Sequence, residues 1–143
     1  MARTAISAII AAIITSVTFS LLLVLLHFIS YHNQNLSVSV YQFSFHELMI
    51  LYLIYTTPPT LVSGIVSALL VGSNNKYLQS LLLYLMLGIV FGLIYALVLV
   101  RGAMADLMML VSFAATGVIV SIIFFHVHLL VNMLIKAVTL PPD

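Results

Sequence analysis

A chain of 143 residues in which 64% of the side chains are hydrophobic and 5% charged lacks the polar surface a water-soluble domain needs to cover its core. Its formal net charge of +1 comes without a basic block, so nucleic acid is not an expected partner. The absence of cysteine removes disulfides, thiol redox chemistry and thiolate metal sites together, and the absence of Trp leaves Tyr to supply any aromatic belt.

About 20 apolar residues are needed to cross the hydrocarbon of a bilayer. Four stretches reach that length: about Ala5 to Ile29, Leu48 to Gly72, Leu78 to Val100, and Leu107 to Phe125 with a helical extension to about residue 137. The first follows Arg3 as a secretory signal would, but it is longer than the roughly 7 to 15 residues of a signal's apolar region, so a retained helix is expected. The expected fold class is therefore all-α: a polytopic membrane protein with four transmembrane helices in an antiparallel bundle, forming a single membrane domain over residues 1–143. Arg3, Lys76 and Lys136 fall on one side of this arrangement and Arg101 on the other, which by the positive-inside rule places both termini in the cytoplasm of a cell membrane.

The first connection is the longest. Within it Leu36-Ser37-Val38-Ser39-Val40 alternates with the period of a strand, and Asn35-Leu36-Ser37 has the form of a glycosylation acceptor. His27, His32, His46 and Glu47 gather at this boundary, where imidazole and carboxylate groups could hold a metal or respond to pH, although their spacing matches no recognised ligand pattern.

In the second span Pro58 and Pro59 lie near the midpoint. Each lacks an amide hydrogen and crowds the carbonyl four residues back, which frees acceptors at Ile54 and Tyr55 and marks both prolines as kink candidates.

Small side chains recur four apart on every span. They run Thr4, Ala8, Ala12, Ser16, Ser20 in the first and Thr56, Thr60, Gly64, Ala68, Gly72 in the second. The third carries Ser80, Gly88, Gly92 and Ala96, with Tyr84 in the series, and the fourth carries Gly117 and Ser121 in line with His128, Asn132 and Lys136. Small-xxx-small faces let helix backbones approach closely in lipid. Gly64, Ala68, Gly88, Gly92, Ala96, Gly117 and Ser121 are the helix-packing candidates. The polar stripe from His128 to Lys136 either extends that packed face or lies along the membrane interface. His126 and His128 point about 200° apart on a helix and do not form a chelating pair.

No ionisable side chain lies in the middle of a span, which argues against pumps and proton-coupled transporters. No phosphate loop, nucleophile elbow or metalloprotease motif is present, and no catalytic residue, cofactor site or metal site is expected. The leading expectation is a non-enzymatic protein that associates through its helix faces, as a homo-oligomer or as a subunit or regulator of a larger membrane complex. The alternative is a facilitative transporter or pore for a small solute, built on the hydroxyl-rich second span.

Tyr52-Leu53-Ile54-Tyr55, followed by Pro58, Ser63-Gly64 and Ser67, resembles a region of small four-pass membrane proteins of Gram-positive bacteria. The resemblance covers about one helix and implies a bacterial plasma-membrane protein without naming an activity.

Overall fold

The computed structural model describes residues 2–33, 43–71, 76–100 and 107–139. These form four helices: α1 (Ala2–Asn33), α2 (Phe45–Val71), α3 (Tyr77–Val100) and α4 (Leu107–Thr139). Each is long and apolar enough to cross a membrane. The protein is a multi-pass membrane protein whose helices form an antiparallel bundle. The alternating segment Leu36–Val40, the Asn35-Leu36-Ser37 tripeptide, Arg101 and Gly72 lie outside the described residues, as does the side chain of His32.

The helices form a ring in the order α2, α1, α4, α3. α1 packs along α2 and α4, and α3 packs along α4, while α2 and α3 touch least of the four neighbouring pairs. Two hairpins thus close tightly on one side and gape on the other.

α1 explains why the bundle closes. Its small residues Ser7, Ala8, Ala11, Ala12, Thr15, Ser16 and Ser20 are buried, whereas Ile6, Ile9, Ile10, Ile13, Ile14 and Val17 are exposed. In lipid, large apolar side chains gain nothing by leaving the surface, and small ones let neighbouring backbones come close. From Ile6 to Val17 the helix is therefore small inside and bulky outside, while further along Phe19 and Val24 are buried.

α3 and α4 carry the same logic furthest. A Cβ at Gly117 would collide with the Gly88 carbonyl, and one at Gly92 would collide with the Phe113 carbonyl. A Cβ at Gly88 would strike both the Ser121 hydroxyl and the Gly117 carbonyl. The two backbones touch through these glycines, so the small face of α3 meets its partner within the same chain. Gly64 of α2 gives its space to the ring of Phe124 on α4. Ala68 and Ala96 are buried.

α2 begins at a capping box. Ser44 Oγ accepts from the Glu47 amide at 3.4 Å, and the Glu47 carboxylate accepts from the Ser44 amide at 2.7 Å and from its hydroxyl at 2.8 Å. The helix then runs through Pro58 and Pro59 to Val71.

α4 continues as one helix well past Phe125. His128 and Val131 are buried, Asn132 is half-buried and Lys136 is exposed. The polar stripe therefore extends the packed face as far as Asn132.

Candidate functional site

The gap between α2 and α3 is a groove of about 720 Å³, within the roughly 300–1,000 Å³ typical of small-molecule sites. It runs along α2 from Leu51 to Ser63, roughly 18 Å of helix axis. Phe19 and Leu23 of α1 and Phe113, Gly117 and Val120 of α4 form its floor. Tyr55, Val62, Ile94 and Val98 line it and are themselves exposed, so its mouth opens sideways between α2 and α3. The groove occupies the half of the bundle away from the termini, near the α1–α2 and α3–α4 connections.

The prolines shape this groove. Pro59 cannot donate to the Tyr55 carbonyl, and the Tyr95 hydroxyl of α3 supplies the missing hydrogen bond at 3.0 Å. Tyr95 is held in turn by an edge-to-face contact with Phe113, with centroids 6.0 Å apart. One turn on, the Thr60 hydroxyl donates to the Thr56 carbonyl at 2.7 Å, and the Thr56 hydroxyl pairs with Ser20 of α1 at 2.8 Å.

Hydroxyls are numerous around the groove, yet its wall is almost wholly apolar. Those of Thr60 and Thr116 donate to carbonyls of their own helices. Groups satisfied in this way offer little to a hydrated solute.

At its inner end the groove adjoins a second void of about 10 Å³, with which it shares Thr60, Ser63, Val120 and Ser121. Gly64, Ser67, Tyr84 and Phe124 complete the wall. This niche is about half polar, whereas the groove is almost wholly apolar. Ser67 is only 4% exposed. Among the described residues, no hydrogen-bond partner meets the hydroxyl of Ser67 or of Ser121.

Beyond the niche lies a closed polar cluster. The Tyr84 hydroxyl pairs with His128 Nδ1 at 3.2 Å, and His128 Nε2 lies 3.1 Å from Ser7 Oγ and 3.2 Å from Asn132 Nδ2. The Ser7 hydroxyl also donates to the Thr4 carbonyl at 3.0 Å. The imidazole joins α1, α3 and α4, and the stacked ring of Phe124 lies 5.6 Å from it. A polar network of this kind ties membrane helices together.

His126 lies on the outer side of α4. Its Nδ1 donates to the Ile122 carbonyl at 2.8 Å, which leaves Nε2 to accept from the Tyr77 hydroxyl at 3.1 Å.

His27 and His46 are exposed and flank a Phe28–Phe45 stack, while the Glu47 carboxylate is engaged by Ser44. Among the described residues no three His, Asp or Glu side chains approach closely enough to share a metal ion.

Of the residues singled out in the sequence, Pro58, Pro59, Gly88, Gly92, Gly117 and Ser121 line the groove, and Gly64 lines the niche. Ala68 and Ala96 line neither. Ser67, Tyr84 and Tyr95 were not singled out as site residues. Tyr95 was nonetheless detectable in principle, because the acceptor freed at Tyr55 requires a donor from a neighbouring helix.

No protein-family model, curated protein or solved structure matches this chain.

Proposed function

We propose that this is a non-enzymatic protein of a cell membrane that works by admitting an apolar partner from the bilayer into the groove between α2 and α3. The observation that carries this reading is the groove itself, apolar along its wall and open sideways at the height of Pro58 and Pro59. The α3–α4 interface closes backbone to backbone, whereas the gap between α2 and α3 is left unfilled. The clasp from Tyr95 to Tyr55 spans the gap without closing it.

A second reading places the protein as a subunit or regulator of a membrane complex, with a partner helix or a second copy seated against the same mouth. Its support is the exposure of Val62, Ile94 and Val98 on both lips. The small-residue faces are less suited to that role, since Gly88, Gly92 and Gly117 already pack within the chain. A facilitative path for a hydrated solute gains least, because the groove wall is almost wholly apolar and the Thr56 and Thr60 hydroxyls are engaged by protein partners.

Both termini are assigned to the cytoplasm on the distribution of Arg3, Lys76 and Lys136 against Arg101. The resemblance within α2 favours a bacterial plasma membrane. The chain has no native thiol, so single cysteines at Ser37, Asn74, Ala103 and Thr139 report topology directly. Ser37 and Ala103 should react with an impermeant maleimide from outside the cell, and labelling of Asn74 from that side would reverse the orientation.

Photocrosslinking tests the groove. A diazirine placed at Val62 or Val98 should capture lipid-soluble molecules under the first reading and a discrete protein or second copy under the second. Labelling no stronger than that of Leu70 or Met133, exposed residues remote from the groove, would count against both.

A further inference from the structure

We infer that the groove and niche together form a binding site for an uncharged single-chain amphiphile, whose tail lies in the groove and whose hydroxyl or carbonyl head meets Ser67 and Ser121. The inference rests on the groove-binding reading and specifies its ligand. Three observations combine to support it.

The first is adjacency. The apolar groove and the niche share Thr60, Ser63, Val120 and Ser121 as a common wall, so a molecule lying along the groove brings its inner end against the niche. A wholly apolar occupant would leave the niche without a partner. A wholly polar one would gain nothing along the groove.

The second is the state of the hydroxyls. Thr60 donates to a backbone carbonyl and Tyr84 is engaged by His128, whereas Ser67 and Ser121 face the niche with no protein partner among the described residues. Both hydroxyls reach the open space of the niche, and in the membrane interior water is scarce. A ligand oxygen accepting from Ser67 or donating to Ser121 would give them a partner there.

The third is charge. Among the described residues no Lys, Arg, Asp or Glu lines either space, and the imidazole of His128 lies behind Tyr84 with both ring nitrogens already paired. A carboxylate, phosphate or ammonium carried to the middle of the bundle would have no countercharge. The head group must therefore be neutral. The sideways mouth gives such a molecule entry from the bilayer without crossing water.

The test uses the full chain reconstituted in phosphatidylcholine vesicles, with a fatty alcohol bearing a diazirine in its tail as the probe. Unlabelled fatty alcohol, the alkane of equal length and the matching fatty acid compete. Labelling should fall within the Leu51–Ser63 and Gly88–Val98 segments, with the alcohol competing about tenfold better than the alkane, as one or two net hydrogen bonds imply. The ionised acid should compete least. Ser67→Ala combined with Ser121→Ala should abolish the alcohol's advantage while leaving competition by the alkane unchanged.

Equal competition by alcohol and alkane, or competition by the acid as strong as by the alcohol, overturns the head-group assignment and leaves the groove reading standing. Labelling that avoids both segments overturns the groove reading and this inference with it. The comparison of competitors on the unaltered protein decides the matter even if the double variant fails to fold.

Discussion

The Tyr95 hydroxyl stands 3.0 Å from the carbonyl of Tyr55, the acceptor that Pro59 deprives of its helical donor. One residue thus repairs on α3 a defect that another creates on α2, and the repair crosses the mouth of the groove. Without Pro59 the Tyr55 carbonyl would be occupied within its own helix.

Tyr95→Phe should therefore destabilise the folded chain by about 1 kcal/mol, the scale of an interhelical hydrogen bond in a membrane. Pro59→Ala restores an amide donor to the Tyr55 carbonyl, so in that background the same Tyr95→Phe change should cost less. Reversible unfolding in mixed micelles measures all four corners of the cycle. Strict additivity would show that the two residues are not linked.

The packing glycines of α2, α3 and α4 should rank by what stands over them. At Gly92 and Gly117 the obstacle is a backbone carbonyl, which cannot step aside, whereas at Gly64 it is the edge of the Phe124 ring. Gly92→Ala and Gly117→Ala should each cost on the order of 1–3 kcal/mol, the usual range for overpacking, and leucine at either site should prevent assembly of the bundle. Gly64→Ala should be milder if Phe124 can turn. Thermal unfolding in detergent gives the order, and equal losses at all three sites would contradict it.

What could be read from the sequence follows from which physical rule governs each feature. The spans are set by local hydropathy: Leu78–Val100 and Leu107 onward fall within a residue of the helix limits. The ends of α1 and α2 extend further, to Asn33 and back to Phe45, because capping and helix propensity rather than hydropathy decide them. In α1 a spacing of four traced Ala8, Ala12, Ser16 and Ser20 but missed the parallel lane of Ser7, Ala11 and Thr15. The inverse pattern of isoleucines at 6, 9, 10, 13 and 14 would have revealed both lanes. The groove depends on how far α2 and α3 splay, and the pairing of Ser7 with His128 joins residues 121 apart in the chain. Neither has a local signal.

The Ser7–His128 contact predicts a measurable coupling between α1 and α4. With the Ser7 proton given to the Thr4 carbonyl, His128 Nε2–H donates to Ser7 and Nδ1 accepts from Tyr84, so His128→Leu removes both hydrogen bonds and should destabilise more than Ser7→Ala, which removes one of them from the ring. A cycle of Ser7→Ala and His128→Leu should return a coupling of roughly 0.5–1.5 kcal/mol, within the range for polar pairs between membrane helices. Tyr84→Phe should also couple to His128→Leu. If only the Tyr84 cycle shows coupling, the imidazole serves the α3–α4 hairpin and not its closure on α1.

Glu47 offers the sharpest separation between a structural and a ligand-binding role at the α1–α2 boundary. Its carboxylate accepts from both the amide and the hydroxyl of Ser44, the arrangement of an N-terminal capping box. Glutamine retains an acceptor oxygen of the same reach, so Glu47→Gln should preserve most of the cap, whereas Glu47→Ala and Ser44→Ala should each release it. Hydrogen exchange at the first turns of α2 is the direct readout, because fraying there precedes global unfolding. A metal or pH-sensing role would instead demand the charge itself. Faster exchange in Glu47→Gln, equal to that in Glu47→Ala, would show that the negative charge matters and that the cap alone does not account for this residue.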